Sequence, residues 1–240
     1  TLTHALSNQI SDSSYDKNKK WDGLSDFGVE VIQEMNRIGI IIDISHVSDA
    51  AFWDVMEITK APTIASHSSA RYFTPGWERN MNDEMIERIA ENDGVVMINF
   101  GSAFVTKKAN QYSQSRSDDY KTFIAKNKLR KDTKTGLQKT FNNSYEEKHG
   151  PFPYATLEQT LDHFDHVVAL VGIEHVGIGS DYEGVGDSLP VGLKDVSNYP
   201  NLIQGLLKRG YNERDIRKIL GENLLRVWEA VEVYAEKNDR

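Results

Sequence analysis

Two histidines close successive apolar runs: His46 follows Ile40-Ile41-Ile42-Asp43-Ile44-Ser45, and His67 follows Pro62-Thr63-Ile64-Ala65-Ser66. A third run, Val176-Gly177-Ile178-Gly179-Ser180, ends at Asp181. Imidazole nitrogens are good ligands for divalent ions and a carboxylate can carry protons, so the set points to metal-assisted hydrolysis. Two ligands alone hold an ion weakly. Each histidine could equally be a hydrogen-bonded polar group at the end of a buried strand. Asp181 has a plain alternative too, because Asp shortly before a glycine, here Gly184, is ordinary turn chemistry.

Such chemistry needs elements that carry the three residues to one place. Short β-branched runs bounded by turn residues read as strands buried on both faces, the pattern of a parallel sheet flanked by helices. In a (β/α)8 barrel the carboxyl ends of those strands form the catalytic rim. Leu24, Phe27, Val31, Ile32, Met35 and Ile38 recur at helical spacing, with Gly39 as a stop. A strand at 40–44, a helix capped by Ser48 and running to about 58, and a strand opened by Pro62 follow. Met85, Ile86, Ile89 and Ala90 mark a helix before a strand at 95–100. Residues 105–154 break the beat with few aliphatics, many Lys, Asn, Ser and Thr, and the charge run Lys126 to Lys134. This stretch reads as an insertion, either a lid, a binding loop or a disordered segment, with short helices around Tyr120 to Lys128. Thr156-Leu157-Glu158-Gln159 has capping-box form and opens a helix leading to a strand at 175–180. Two or three short helices marked by Leu202, Leu206, Ile216, Ile219, Leu224 and Val227 end the chain.

Four strands, with a possible strand end at Thr1-Leu2-Thr3-His4, do not close a barrel. The expected architecture is therefore α/β, either an open sheet or the later part of a (β/α)8 barrel, in one segment over 1–240. The 240 residues carry a net charge of -8, 39% hydrophobic residues and no cysteine. Net acidity argues against a nucleic-acid partner, and the lack of cysteine leaves any metal to His and carboxylates. No apolar stretch approaches the roughly 18 residues of a membrane span, so no direct membrane contact is expected from this segment. Compartment stays open.

Asp43-Ile44-Ser45-His46-Val47-Ser48, Ala65-Ser66-His67-Ser68-Ser69-Ala70, Arg79-Asn80 and Val176-Gly177-Ile178-Gly179-Ser180-Asp181-Tyr182-Glu183-Gly184-Val185 resemble, in order and spacing, motifs of the renal (membrane) dipeptidase family. Gly192-Leu193-Lys194-Asp195-Val196-Ser197 and Glu222-Asn223-Leu224-Leu225-Arg226-Val227 extend the resemblance over nearly the whole chain outside the insertion.

The resemblance implies a zinc-dependent dipeptidase on a (β/α)8 TIM barrel, represented here by its C-terminal strands and helices with the upstream strands missing. It implies two Zn²⁺ per complete site and hydrolysis of a small dipeptide through a metal-bridged hydroxide. His46 and His67 become ligands of one zinc, while the family's His-x-Asp and bridging Glu have no counterpart in this chain. Asp181 becomes the proton shuttle, and His4 a substrate contact that donates to the tetrahedral oxyanion. Arg79 and Asn80 become the substrate-binding pair, the guanidinium fork suiting a free α-carboxylate. A homodimer stays open on the same ground. Rival readings are a related metal-dependent amidohydrolase (lactonase, phosphotriesterase or N-acyl amino acid hydrolase), a non-catalytic barrel binding module, and a metal-free doubly wound binding protein.

The remaining histidines are expected to be structural: His163 and His166 lie three apart on one helix without a third ligand, His175 opens a strand at the stability end, and His149 sits in the insertion. Tyr72, Phe73, Trp77 and Tyr182 are candidates for a pocket wall or for ordinary packing.

Overall fold

A computed structural model describes residues 1–127 and 134–238. Most of the charge run from Lys126 to Lys134, and Lys128 with it, lies outside the described residues. The elements are α1 (Asp26–Ile38), β1 (Ile42–Asp43), α2 (Asp49–Ile58), β2 (Thr63–Ala65), α3 (Asp83–Glu91), β3 (Val95–Ile98), α4 (Ser102–Val105), α5 (Lys107–Lys126), α6 (Lys134–His149), α7 (Leu157–Val171), β4 (Val176–Ile178), α8 (Tyr199–Lys208), α9 (Glu213–Arg217) and α10 (Asn223–Asn238).

Local chemistry sets the boundaries. Ser25 caps α1 by accepting from the Gly28 N–H, and Gly39 ends it at φ 77°, a left-handed turn that glycine adopts without strain. Ser48 caps α2 through the Ala51 N–H. Thr156 and Gln159 form the capping box expected from their spacing.

The four strands are all parallel and lie in chain order, β1-β2-β3-β4, in register Ile42↔Thr63, Ile64↔Val95 and Val96↔Val176. A doubly wound sheet reverses strand order at a switch point; this one does not, so the sheet is an arc of barrel wall. Phe52, Ile86, Ile89, Leu161 and Phe164 bury the α2, α3 and α7 faces in the main core, and Val227 and Val231 of α10 pack with Val95 and Ala61 in a smaller one.

Strand lengths depart from expectation. The runs at 40–44, 95–100 and 175–180 pair only over 42–43, 95–98 and 176–178. The ladder continues one bond further at two places, Ile44 N–H to Ile64 O and Gly179 N–H to Ile98 O, before side chains take over the backbone partners. Asp43 accepts from the Ser45 and Ser66 N–H groups, and Asn99 from the Gly101 N–H. The first residues form no strand, although Leu2 and Thr3 are buried.

The insertion also needs correcting. Instead of a loop with short helices, 105–154 holds the 20-residue α5 and the 16-residue α6. They pack through aromatic rings, Tyr112 on Tyr145 at 5.3 Å, Tyr120 on Phe141 at 5.1 Å and Phe123 on Phe141 at 5.4 Å. Aliphatic periodicity is absent because aromatic rings supply the apolar area. The terminal helices include a 16-residue one, α10, longer than expected.

Candidate metal centre and substrate contacts

β1 and β2 deliver His46 and His67 to the carboxyl-end rim, where their Nε2 atoms stand 2.7 Å apart. His46 adopts φ 75°, a conformation uncommon for a residue with a side chain. Its neighbourhood holds it there: the Ser45 hydroxyl lies 3.0 Å from that of Ser68 and accepts from the His67 N–H.

Behind His67 runs a short relay. Its Nδ1 is 2.6 Å from the Ser66 hydroxyl, which donates to Asp43 Oδ2 at 2.7 Å. A hydroxyl that gives its one hydrogen to a carboxylate can only accept from the imidazole, so Nδ1 carries the proton and Nε2 is left as the acceptor that faces His46. Burial, followed by the charges of Arg79, His67 and His4, holds the His46 pKa down to about 2. Burial and Arg79 also lower that of His67, against the pull of Asp43 and Asp181. Both rings are therefore neutral at pH 7, the form that binds metal. Nδ1 of His46 is buried without a hydrogen-bond partner.

His4 is part of the same cluster. Its ring stacks on His46 with centroids 4.2 Å apart, and its carbonyl accepts from the Ser13 hydroxyl. Tyr15 leans on His46 from another side, at 5.8 Å.

Asp181 sits just past β4 at φ 57°. Its Oδ2 accepts from Asn99 Nδ2 at 2.9 Å, and the same amide reaches the His67 carbonyl at 3.4 Å. Asn99 thereby ties the carboxylate to the ligand strand. Two glycines make room: a Cβ on Gly184 would lie 2.0 Å from Asp181 Oδ1, and one on Gly179 only 2.2 Å from the Ser66 carbonyl. The turn role also exists, since Asp181 O accepts from the Gly184 N–H.

Arg79 is 2% exposed. Nη1 donates to the Ser68 hydroxyl at 2.7 Å, the guanidinium lies 5.0 Å over the Phe104 ring, and Nε and Nη2 are buried without partners. Burial lowers its pKa, while Tyr15, Asp181 and Asp43 counteract that. A buried cation with two donors that lack a close acceptor, and with the Tyr15 hydroxyl beside it, suits a carboxylate ligand. Asn80 differs from the expectation of a substrate contact. Its side chain is fully buried, donates to Thr74 Oγ1 and the Phe104 carbonyl, and accepts from the Ser69 N–H. With both amide hydrogens given to protein, it fixes the loop that carries Arg79.

The other histidines lie apart. His163 accepts from the Ala70 N–H at Nδ1 and contacts the Val105 carbonyl at Nε2, while His166 pairs with Asp83. His175 contacts the Gly94 carbonyl. Tyr72 stacks on His166 and Phe73 packs at a tilt on His163, so neither faces the His46–His67 pair. Tyr182 packs between Phe100 and Tyr199, and Trp77 stands between Tyr15 and Phe104. Sequence reasoning missed Asn99, Ser66 and Tyr15. Asn99 alone carried a signal, being a polar residue directly after a buried run, like His67 and Asp181.

Among the described residues no cluster of three or more His, Cys, Asp or Glu could hold a metal. Two neutral imidazoles whose Nε2 atoms meet at 2.7 Å, sharing one proton between them, can turn both nitrogens to one divalent ion once that proton leaves, with further donors needed from elsewhere.

An unreversed parallel arc with two histidines and a carboxylate at its carboxyl ends is part of the wall of a (β/α)8 barrel. The chain belongs to the membrane dipeptidase family: the family model "Membrane dipeptidase (Peptidase family M19)" matches residues 1–240. It is 35% identical over 238 residues to an uncharacterized dipeptidase of Schizosaccharomyces pombe, covering 98% of this chain and 47% of that protein. Similar solved structures include the probable dipeptidase PvdM from Pseudomonas aeruginosa, with TM-score 0.80, 29% identity, and coverage of 97% of this chain and 62% of that one. Another is a metallopeptidase from Rhodobacter sphaeroides liganded with a phosphinate mimic of the dipeptide L-Ala-D-Ala, with TM-score 0.66, 28% identity, and coverage of 88% and 48%. The chain thus spans about half the length of the curated relative.

Proposed function

We propose that this chain supplies one half of the metal centre and the substrate-reading side of a zinc-dependent dipeptidase. The observation that carries the reading is the pair of Nε2 atoms 2.7 Å apart on neutral rings, His46 buried and His67 partly so. His46 and His67 hold one Zn²⁺, and the ligands of a second come from the part of the relatives' length that this chain does not span. We read residues 1–240 as one continuous segment of a single catalytic barrel, with 105–154 inserted into it.

Zinc, when bound, polarises the scissile carbonyl and acidifies a water toward neutrality. Asp181, anchored at Oδ2 by Asn99, keeps Oδ1 free to take the proton of the attacking water and return it to the departing amine. His4, braced against His46, donates to the oxygen on which negative charge develops. The unpartnered Nε and Nη2 of Arg79 receive the free α-carboxylate, which sets substrate length at two residues. A lactone or a phosphotriester offers no carboxylate to satisfy those donors, so the dipeptide reading is preferred over those two; an N-acyl amino acid carries the same carboxylate and is separated from a dipeptide by the hydrolysis assay.

The test is hydrolysis of free dipeptides by the full-length protein, with and without prior chelation. The account expects free amino acids as products, loss of turnover on chelation and recovery with Zn²⁺. Turnover of lactones or phosphotriesters with none on any dipeptide would replace the reading with the amidohydrolase alternative.

A further inference from the structure

Beside the histidine pair lies a cavity of about 480 Å³ between the N-terminal loop, the loop before Arg79 and the inserted helix α5. Its apolar wall is Tyr15, Trp77 and Phe104, and α5 closes it with Ser113, Gln114 and Ser117. That wall is continuous with the proposed catalytic groups. Tyr15 is 5.8 Å from the His46 ring, Trp77 is 6.2 Å from Tyr15 and 4.8 Å from Phe104, and the Arg79 guanidinium lies 5.0 Å from Phe104. A residue whose carboxylate is held by Arg79 therefore has this cavity within the reach of its own side chain.

The lining selects for shape over charge. Three lysines (17, 19 and 121) and three carboxylates (Asp16, Glu78 and Asp118) share the rim. Lys19 is paired with Glu78 at 2.8 Å and Lys121 with Asp118 at 2.9 Å, so the rim offers no excess of either sign. The cavity falls within the roughly 300–1,000 Å³ of small-molecule sites, and a planar ring placed in it buries about 150–250 Å² against three others. Glycine or alanine would leave it to water.

Resting on the dipeptidase reading, we propose that this cavity is the subsite for the side chain of the carboxyl-terminal residue of the substrate, and that it selects large aromatic side chains. Helix α5 of the insertion thus acts as a specificity element, with Trp77 and Ser113 as determinants on opposite walls.

The experiment compares alanyl-phenylalanine with alanyl-alanine on the full-length zinc-loaded protein, in wild type, Trp77→Ala and Ser113→Trp. Calorimetric binding of both dipeptides to the chelated protein provides a readout apart from turnover. Wild type is expected to favour the aromatic substrate in kcat/KM by about tenfold or more, and both variants to bring that ratio toward one. The binding ratio should move in parallel. Ser113 lies on the surface of α5, so Ser113→Trp decides the matter if Trp77→Ala does not fold. Equal kcat/KM for the two substrates in wild type, or an unchanged ratio in folded Ser113→Trp, overturns the subsite while leaving the dipeptidase reading intact. Failure of wild type to cleave either substrate overturns the dipeptidase reading, and the subsite with it.

Discussion

Nδ1 of His67 meets the hydroxyl of Ser66 at 2.6 Å, and that hydroxyl is already committed to Asp43. The imidazole is thereby locked with its proton on Nδ1 and its lone pair on Nε2. Groups that orient a metal-binding histidine in this way typically contribute about 10–100-fold in metal affinity. Ser66→Ala should weaken zinc binding by about that factor, read by competition with a chromophoric chelator. Unaltered affinity would show that the relay does not orient the ligand.

Arg79 is the second point of attack. Truncating a buried charge that pairs with substrate commonly costs 2–5 kcal/mol, so Arg79→Ala should lower kcat/KM on free dipeptides by about a hundredfold or more. The matching dipeptide amide lacks the carboxylate and should lose far less. Equal losses on the two substrates would remove Arg79 from carboxylate recognition.

Gly184 tests Asp181 without touching it. A methyl at 184 would sit 2.0 Å from Asp181 Oδ1, and the carboxylate must swing away from Asn99 to escape. Gly184→Ala should reduce kcat by about 10²-fold, the size of one general acid–base contribution, with the thermal midpoint little changed. Full activity in the variant would assign Asp181 to the turn alone.

The site and the fold differed in how far they could be read from residue order. Buried parallel strands leave unbroken apolar runs, so the rim positions of His46, His67 and Asp181 were legible, while the true strand ends were not. Those ends depend on Asp43 and Asn99 diverting the backbone, which no local pattern encodes. The helices α5 and α6 escaped because rings such as Tyr120 and Phe141 pack them without aliphatic spacing. Asn80 adjoins Arg79 in the pair that the family resemblance assigns to substrate, and only tertiary contacts reveal that its amide is used up by Thr74 and Phe104.

His163 gives a pH signature of the fold. It is fully buried, and desolvation lowers its pKa from 6.5 to about 4 despite its contact with the Val105 carbonyl. Below pH 6.5 the unfolded chain takes up a proton that the native state refuses, so this contribution to stability is intact above 6.5 and lost as pH falls toward 4. The full loss should be about 3 kcal/mol. Urea unfolding of wild type and His163→Gln at mildly alkaline and mildly acidic pH should show a steeper decline in wild type. Parallel curves would contradict the assignment.

Anomalous diffraction at the zinc edge, on crystals of the full-length metallated protein, locates the ion relative to the two imidazoles. The account predicts a peak about 2.0–2.1 Å from Nε2 of both His46 and His67. A fully metallated protein with no density between those two atoms, or with either ring turned away from the ion, would contradict it.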